Sequence, residues 1–409
     1  MAVVRRLART VAVAAGRGQQ RRRLGSSAIR VGRTAELETA LDGTDQFAAV
    51  EGRAVLEVSG ADATEFLQGM QCNDMAHIAL GGSGMVTGFL APQGRMVADA
   101  FVYPRNVGLN FPHPRYLVEV DARAKARMMQ ILGFYRLRAR VDIRDATDEY
   151  VVWSVWGPRS AALVGGERVL GHVPRGALVL RDGVPTVGDV WMADGRAPGM
   201  GLRLLVDRSD GSLRLPEGFE QRSTAEYRLR RILKGVAEGA DDFVAGVAVP
   251  LECNMDYMHG VHFGKGCYVG QELTIRTHHR GVVRKRIVPV LLTTTGGPGV
   301  DGTRNPLCVD RSWALDMPPQ VEIARAAVAS AAAGGAEPGV RTRRVPPGRL
   351  GSTAGNAALA LMRLELVEQY VAQQGGSGGG GIAFEAASAD GQRVFVSPWS
   401  PSWWPVGTL

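Results

Sequence analysis

The stretch VHFGKGCYVGQELTIRTHHRGVVRKRIVPV, Val261 to Val290, decides how this chain is read. It places Gly264, Gly266 and Gly270 around one thiol, Cys267, with Lys265 two residues before it. Glycines let a loop adopt positive φ or approach a ligand closely. A neighbouring cation favours the thiolate, the form of cysteine that binds soft metals and attacks electrophiles. A lone cysteine is otherwise a small buried hydrophobe, so the residues by themselves leave both roles open. His278 and His279 follow on what reads as a strand, where adjacent side chains face opposite ways, so at most one could join the thiol in a metal site. The run Arg276, Arg280, Arg284, Lys285 and Arg286 lacks interleaved aromatics, which argues against nucleic acid. An acidic partner surface or a solvated strand face suits it better.

Upstream of this stretch the pattern is mixed α/β. Phe47 to Val58 alternates like strand around a turn at Gly52 and Arg53, and Asp62 to Met75 carries Ala63, Phe66, Leu67 and Met70 at helical spacing behind Ser59 as a cap, predicting a helix that ends near Asn73. Met85 to Leu90 and Met96 to Tyr103 read as a hairpin about Pro92-Gln93-Gly94. Tyr116 to Val120 predicts a strand, Ala122 to Leu132 a helix, and Tyr135 to Ile143 and Val151 to Val155 further strands. Glu226 to Leu233 predicts a basic, partly buried helix. Beyond residue 286 the chain turns β-rich, with Ala357 to Leu366 as a core strand, biased insertions at Thr293 to Gly302 and Ala326 to Gly355, and a glycine-rich linker at Gly375 to Gly381. The division expected is a leader over 1–33, an α/β region over 34–285 and an all-β domain over 286–409.

The chain has 409 residues and a net charge of +8, but nine arginines and no Asp, Glu or Lys lie in residues 1–33, leaving a net of −1 for the rest. Arginine alternating with Val, Ala and Leu, without acids, is the composition of an organelle transit peptide. No apolar run reaches the roughly 18–20 residues of a membrane span, so neither a membrane nor nucleic acid is expected as a partner. The four cysteines, Cys72, Cys253, Cys267 and Cys308, form no CxxC pair. A cluster normally takes about four protein ligands. Any cluster held here must therefore be shared with another chain.

The string KGCYVGQE, Lys265 to Glu272, matches the K-G-C-[aromatic]-x-G-Q-E motif of the YgfZ-type proteins, relatives of the glycine-cleavage T-protein. Its continuation ELTIRTHHRGVVRKR resembles their mitochondrial iron-sulfur assembly branch. Similar segments include FLQGMQCND (Phe66 to Asp74), QGRMVADAFVY (Gln93 to Tyr103), YRLRARV, VPLECNMDYMHGV, the late ALALMRLE and the terminal WWP. The resemblance implies an α+β fold of two intertwined ferredoxin-like modules with a C-terminal β-barrel. It implies an assembly factor of the mitochondrial matrix, acting late in maturation of 4Fe-4S proteins such as aconitase and radical-SAM enzymes, and leaves open whether it is also a folate-dependent one-carbon transferase. The expected partners are A-type scaffolds and apo 4Fe-4S clients.

The resemblance also assigns roles. Cys267 carries over as the functional thiol and one ligand of a 2Fe-2S cluster shared with the scaffold, inside the motif Lys265, Gly266, Cys267, Tyr268, Gly270, Gln271 and Glu272. Tyr268, Gln271 and Glu272 either shape the thiol loop or hydrogen-bond a folate-like ligand. Tetrahydrofolate is the other cofactor implied, with Gln68, Asn73, Asp99 and Arg276 as its candidate contacts and the basic run as a seat for a polyglutamate tail. The alternative is a tetrahydrofolate-dependent aminomethyltransferase of the glycine-cleavage type. The T-protein has paired acids after the hairpin turn where this chain has Gly94-Arg95-Met96-Val97-Ala98-Asp99, retaining only Asp99, and it lacks the thiol motif.

Overall fold

Gly52, at φ 75°, carries the chain from Gln46–Ala49 (β1) into Arg53–Ser59 (β2), and these two strands belong to different sheets. That crossing sets the architecture. The computed structural model describes residues 41–105, 114–164, 190–210, 213, 215–294, 309–326, 345–373, 382–405 and 408, all within the unit Gly32–Leu409. The leader, Cys308, the 375–381 linker and most of both biased insertions lie outside the described residues.

From β2 the chain forms Ala63–Met70 (α1), Met85–Leu90 (β3), Met96–Pro104 (β4), Arg115–Asp121 (β5), Lys125–Tyr135 (α2) and Asp142–Asp145 (β6). Their sheet has the order β3-β4-β5-β2-β6, antiparallel throughout. Helix α1 buries Ala63, Phe66, Leu67 and Met70, the i, i+3, i+4, i+7 face that its sequence displays. These pack with Met128, Ile131 and Leu132 of α2 in one core.

The chain then returns to pair with β1. Tyr150–Trp156 (β7), Val190–Ala193 (β8), Leu202–Asp207 (β9) and Glu220–Arg222 (β10) complete a second sheet of order β10-β1-β7-β9-β8. One module is thus inserted between the first strand of the other and its remaining strands, as the intertwined fold requires. Thr224–Leu233 (α3), opened by a Ser223 cap, follows β10. After Gln271–Arg280 (α4), the strands Lys285–Thr293 (β11), Glu322–Arg325 (β12), Gly348–Ala354 (β13), Ala357–Arg363 (β14), Phe384–Ala387 (β15) and Arg393–Pro398 (β16) close a barrel of order β11-β14-β13-β12-β15-β16, with Leu364–Gln373 (α5) between β14 and β15. Closure removes the unpaired edges a short sheet would expose. Val288, Val290 and Leu292 of β11 and Ala358, Ala360 and Met362 of β14 alternate into its core.

Where the two modules meet, the interior is ionic. Arg203 of β9, fully buried, donates to Glu119 of β5 through Nη2 at 2.6 Å and Nε at 2.9 Å. Arg196 and Arg203 both reach the Glu238 carboxylate and the Tyr227 hydroxyl. The guanidinium carbons of Arg203, Arg196 and Arg53 lie 4.1, 4.7 and 5.5 Å from the Phe101 ring centre. Burial works against the ionised Glu238, but these arginines hold its carboxyl well below the usual range.

Four local expectations are corrected. Tyr135 to Ile143 is not a strand: α2 runs to Tyr135 and the chain turns before β6. Leu137 sits at φ 44° and 82% exposed, and the turn is tied by Arg140, whose backbone N–H and guanidinium both donate to Asp62. Arginine alternating with apolar residues mimics a strand but here only decorates the exit of a helix. The α1 helix ends at Met70, and Asp62, not Ser59, occupies its cap position, with no side-chain cap bond. The barrel departs from expectation on both sides of one turn: Ala357 to Leu366 is strand only to Arg363, and Gly348–Ala354, inside the stretch read as the insertion Ala326 to Gly355, is the barrel strand β13 that pairs with it. Finally, His278 and His279 lie on helix α4, not on a strand.

Candidate functional site

Helix α4 contains Thr274, Ile275 and Thr277, β-branched residues that favour strand. It is helical because its start is packed. Gly270, the cap residue at φ 77°, leaves no room for a side chain: a Cβ there would meet the Ala91 carbonyl at 2.3 Å. A Cβ on Gly94, in the β3–β4 turn, would meet Leu273 Cβ at 2.5 Å. The hairpin tip and the helix start therefore interlock through two glycines, and the motif loop is suspended between them and α1.

The loop itself is tied down at its base. Lys265 Nζ donates to the carbonyls of Gln68, Gln71 and Asn73 at 2.7, 2.6 and 2.6 Å. The backbone N–H of Val269 donates to the Gly69 carbonyl at 3.0 Å, and that of His262 to the Cys72 carbonyl at 3.0 Å. All three ammonium protons of Lys265 are thus committed to the end of α1 and the turn after it. Burial lowers its pKa to about 8 against the pull of Cys72 and Asp74. The sequence suggested a cation serving the Cys267 thiol; the geometry makes it the clamp of the loop.

At the top of the loop Cys267 is exposed, whereas Cys72 and Cys253 are buried. Burial pushes the Cys72 thiol up to about 12, and its Sγ donates to the Gly88 carbonyl at 2.9 Å. Burial raises the Cys253 thiol as well. Among the described cysteines Cys267 is therefore the one placed to meet a partner. Gly266 has open space around its Cα. Tyr268 is buried beneath the loop, 4.9 Å from Lys265 Nζ, its hydroxyl beside Thr274 without a properly aligned partner. Gln271 Oε1 accepts the Tyr268 N–H at 3.3 Å, which shapes the loop, and Glu272 is exposed.

The candidate folate contacts fall in three places. Gln68 and Asn73 belong to the clamp: Gln68 Nε2 donates to Asp74 at 3.0 Å, and the Asn73 amide donates to the carbonyls of Val86 and His259, both at 2.8 Å. Asp99 lies in the buried ionic interior, accepting the Gly239 N–H at 3.1 Å with its pKa raised by burial. Arg276 is exposed on α4. None of the four lines a cavity of about 740 Å³ whose walls include Arg196, Asp256, Tyr257, His259 and Trp403. Of the basic run, Arg286 is buried, paired with Asp256 at 2.9 and 2.8 Å, while Arg276, Arg280 and Arg284 are exposed.

Sequence reading missed a second cluster at the same place. Asp74, His77 and His262 lie together where the α1–β3 turn meets the motif loop. The Asp74-x-x-His77 spacing hints at it, since a single tight turn, Met75–His77, places both on one side. His262 comes from far along the chain, and nothing local announces that it joins them. Burial opposes the ionised Asp74, but the Ala76 N–H, the Gln68 amide and the two imidazoles lower its pKa.

Residues 49–167 match the family described as the GCVT N-terminal domain, and residues 284–406 match the CAF17, C-terminal beta-barrel domain. A protein of Mycosarcoma maydis described as "Iron-sulfur cluster assembly factor IBA57 homolog, mitochondrial" is 34% identical over 375 residues, which cover 88% of this chain and 85% of that one. A protein of Aspergillus fumigatus with the same description is 36% identical over 358 residues, covering 81% and 73%. Among solved structures, the glycine cleavage system aminomethyltransferase T of Bartonella henselae superposes with a TM-score of 0.58 over 91% of this chain and 89% of that one, at 11% identity. That likeness bears on the fold, and it agrees with the two modules and barrel described above.

Proposed function

The chain belongs to the family of IBA57-type mitochondrial iron-sulfur cluster assembly factors, and from that premise we propose that it works in mitochondria by presenting Cys267 as one ligand of a cluster shared with a partner. The observation that carries this is the contrast among thiols: Cys267 is exposed on a loop clamped at its base, while Cys72 and Cys253 are buried. Among the described cysteines Cys267 alone is accessible, and one thiolate falls short of the about four protein ligands that a cluster normally takes. The partner supplies the rest. We place this role in the matrix, with an A-type scaffold as partner, a 2Fe-2S cluster as the shared cargo and apo 4Fe-4S proteins as clients. Residues 1–33 act as the leader, 34–285 as the folate-binding-fold region and 286–409 as the barrel domain. The exposed Arg276, Arg280 and Arg284 next to the thiol loop suit an acidic docking surface.

The test is anaerobic reconstitution with an A-type scaffold, iron and sulfide, followed by visible absorption of the gel-filtered complex. Wild type gives a coloured complex with the scaffold and Cys267→Ser does not. An identical coloured complex with Cys267→Ser overturns the proposal.

A bound reduced folate is a second reading, favoured by the 740 Å³ cavity, whose size suits such a ligand. Tyr257 and Trp403 offer it aromatic walls, while Asp256 and Asp194 are already paired with Arg286 and Arg196. Equilibrium dialysis with tetrahydrofolate tests it: saturable binding weakened by Trp403→Ala supports it, and no binding refutes it. Aminomethyl transfer has less to stand on, because Asp99 is enclosed by Arg53 and the Gly239 N–H.

A further inference from the structure

We propose that Asp74, His77 and His262 form a binding site for one divalent first-row transition-metal ion at the base of the motif loop. One ligand atom from each residue lies within 4.8 Å of the others. Two imidazoles and one carboxylate are a donor set that suits zinc or ferrous iron.

The carboxylate is oriented for the task. Asp74 Oδ1 accepts the Gln68 amide and the Ala76 N–H, each at 3.0 Å, which leaves Oδ2 directed at His262. Oδ2 and His262 Nδ1 are 4.0 Å apart, too far for a hydrogen bond. His262 Nδ1 is shielded from solvent and has no hydrogen-bond partner. A ring nitrogen in that condition has given up water without gaining a partner. A cation between the two atoms would satisfy both.

The geometry needs only a small contraction. Bonds of about 2.0–2.2 Å in a tetrahedral site put neighbouring ligand atoms about 3.3 Å apart. His77 is exposed and its ring sits edge-on to His262 at 5.4 Å between centres, so side-chain rotation alone can bring it in. The other two ligands are anchored through the backbone: the His262 N–H donates to the Cys72 carbonyl at 3.0 Å and the Asp74 N–H to Asn73 Oδ1 at 2.9 Å. Three protein ligands leave a position open to water or to an exogenous ligand. No thiol takes part, so the inference stands apart from the shared-cluster reading.

The experiment is an anaerobic titration of the metal-free full-length chain with Co2+, followed by its visible absorption bands and by displacement with Zn2+. The expected result is one saturable equivalent, lost in His77→Ala and His262→Ala and kept in Cys267→Ser and in the His278→Ala/His279→Ala pair. His77 is exposed, so its variant should unfold at the wild-type temperature, which separates ligand loss from misfolding. Gln68→Ala, which frees Oδ1, should weaken binding by about 10–100-fold. The inference is overturned by an absence of saturable Co2+ binding, by binding unchanged in His77→Ala, or by binding lost in Cys267→Ser instead.

Discussion

The Lys265 ammonium and the Asn73 backbone carbonyl are joined by a 2.6 Å hydrogen bond, and the same ammonium holds the carbonyls of Gln68 and Gln71. The residue that stands in the motif beside the thiol thus fixes the loop to the end of α1 and the turn after it. Replacing it by methionine strands carbonyls in a half-buried site. Lys265→Met should cost about 2–4 kcal/mol in urea unfolding, taking about 1–3 kcal/mol for each group left unsatisfied and allowing for partial relaxation. Lys265→Arg should not restore this, because a planar guanidinium cannot direct its donors at three carbonyls converging on one point. Wild-type stability in Lys265→Arg would show that charge alone matters here.

Thiol reactivity should separate the cysteines. In a Cys308→Ser background, with an aromatic disulfide reagent near about pH 8, the native chain should show a rapid reaction that disappears on adding Cys267→Ser. Cys72 and Cys253, both buried, should react only after unfolding in guanidinium. A fast phase that survives in Cys267→Ser and vanishes in Cys72→Ala would reverse the assignment.

Cys72 also predicts a pH dependence. Its thiol is raised from 9.0 to about 12 in the folded chain by burial. Between those values the unfolded chain has lost a proton that the native chain keeps, so stability falls as pH rises. Below about pH 9 the contribution is fully present. Relative to Cys72→Ala, wild type should lose up to roughly 1 kcal/mol per pH unit across that window, measured by urea unfolding at each pH. Parallel pH profiles would refute it.

The glycines of the motif should not be equivalent. Gly270→Ala combines a positive φ with a Cβ 2.3 Å from the Ala91 carbonyl, and should destabilise by at least about 1–3 kcal/mol from backbone strain. Gly266→Ala meets open space and should be nearly neutral. Comparable losses in thermal unfolding for both would contradict the packing described.

The ionic interior carries a larger penalty. Arg203→Met leaves Glu119 short of its principal partner in a fully buried position, and should cost about 3–5 kcal/mol. Glu119→Gln in the same background should recover part of this loss. Additive losses in the double variant would mean that the two side chains are not coupled.

Elements whose pattern reflects their own burial were legible in the sequence. The α1 face of Ala63, Phe66, Leu67 and Met70 and the β3–β4 hairpin about Gly94 are local signals of this kind. Helix α4 was not, because its β-branched residues favour strand and its helical state rests on Gly94 and Gly270 admitting close contact. The turn after α2 was hidden for a similar reason: the Asp62–Arg140 tie joins residues 78 apart. At the site, the motif singled out Cys267 and Lys265, but the task of Lys265 depends on carbonyls about 190 residues away, as 2.6 and 2.7 Å contacts to the 68–73 segment reveal. His262 joining Asp74 is likewise a product of the fold.

Whether Cys267 ligates a shared cluster is read most directly by native mass spectrometry of the anaerobically reconstituted mixture with an A-type scaffold. Wild type should give a one-to-one complex carrying the mass of a single 2Fe-2S core, and Cys267→Ser should give only the separate proteins. A cluster-bearing complex of the same mass and abundance with Cys267→Ser would show that Cys267 is not a cluster ligand.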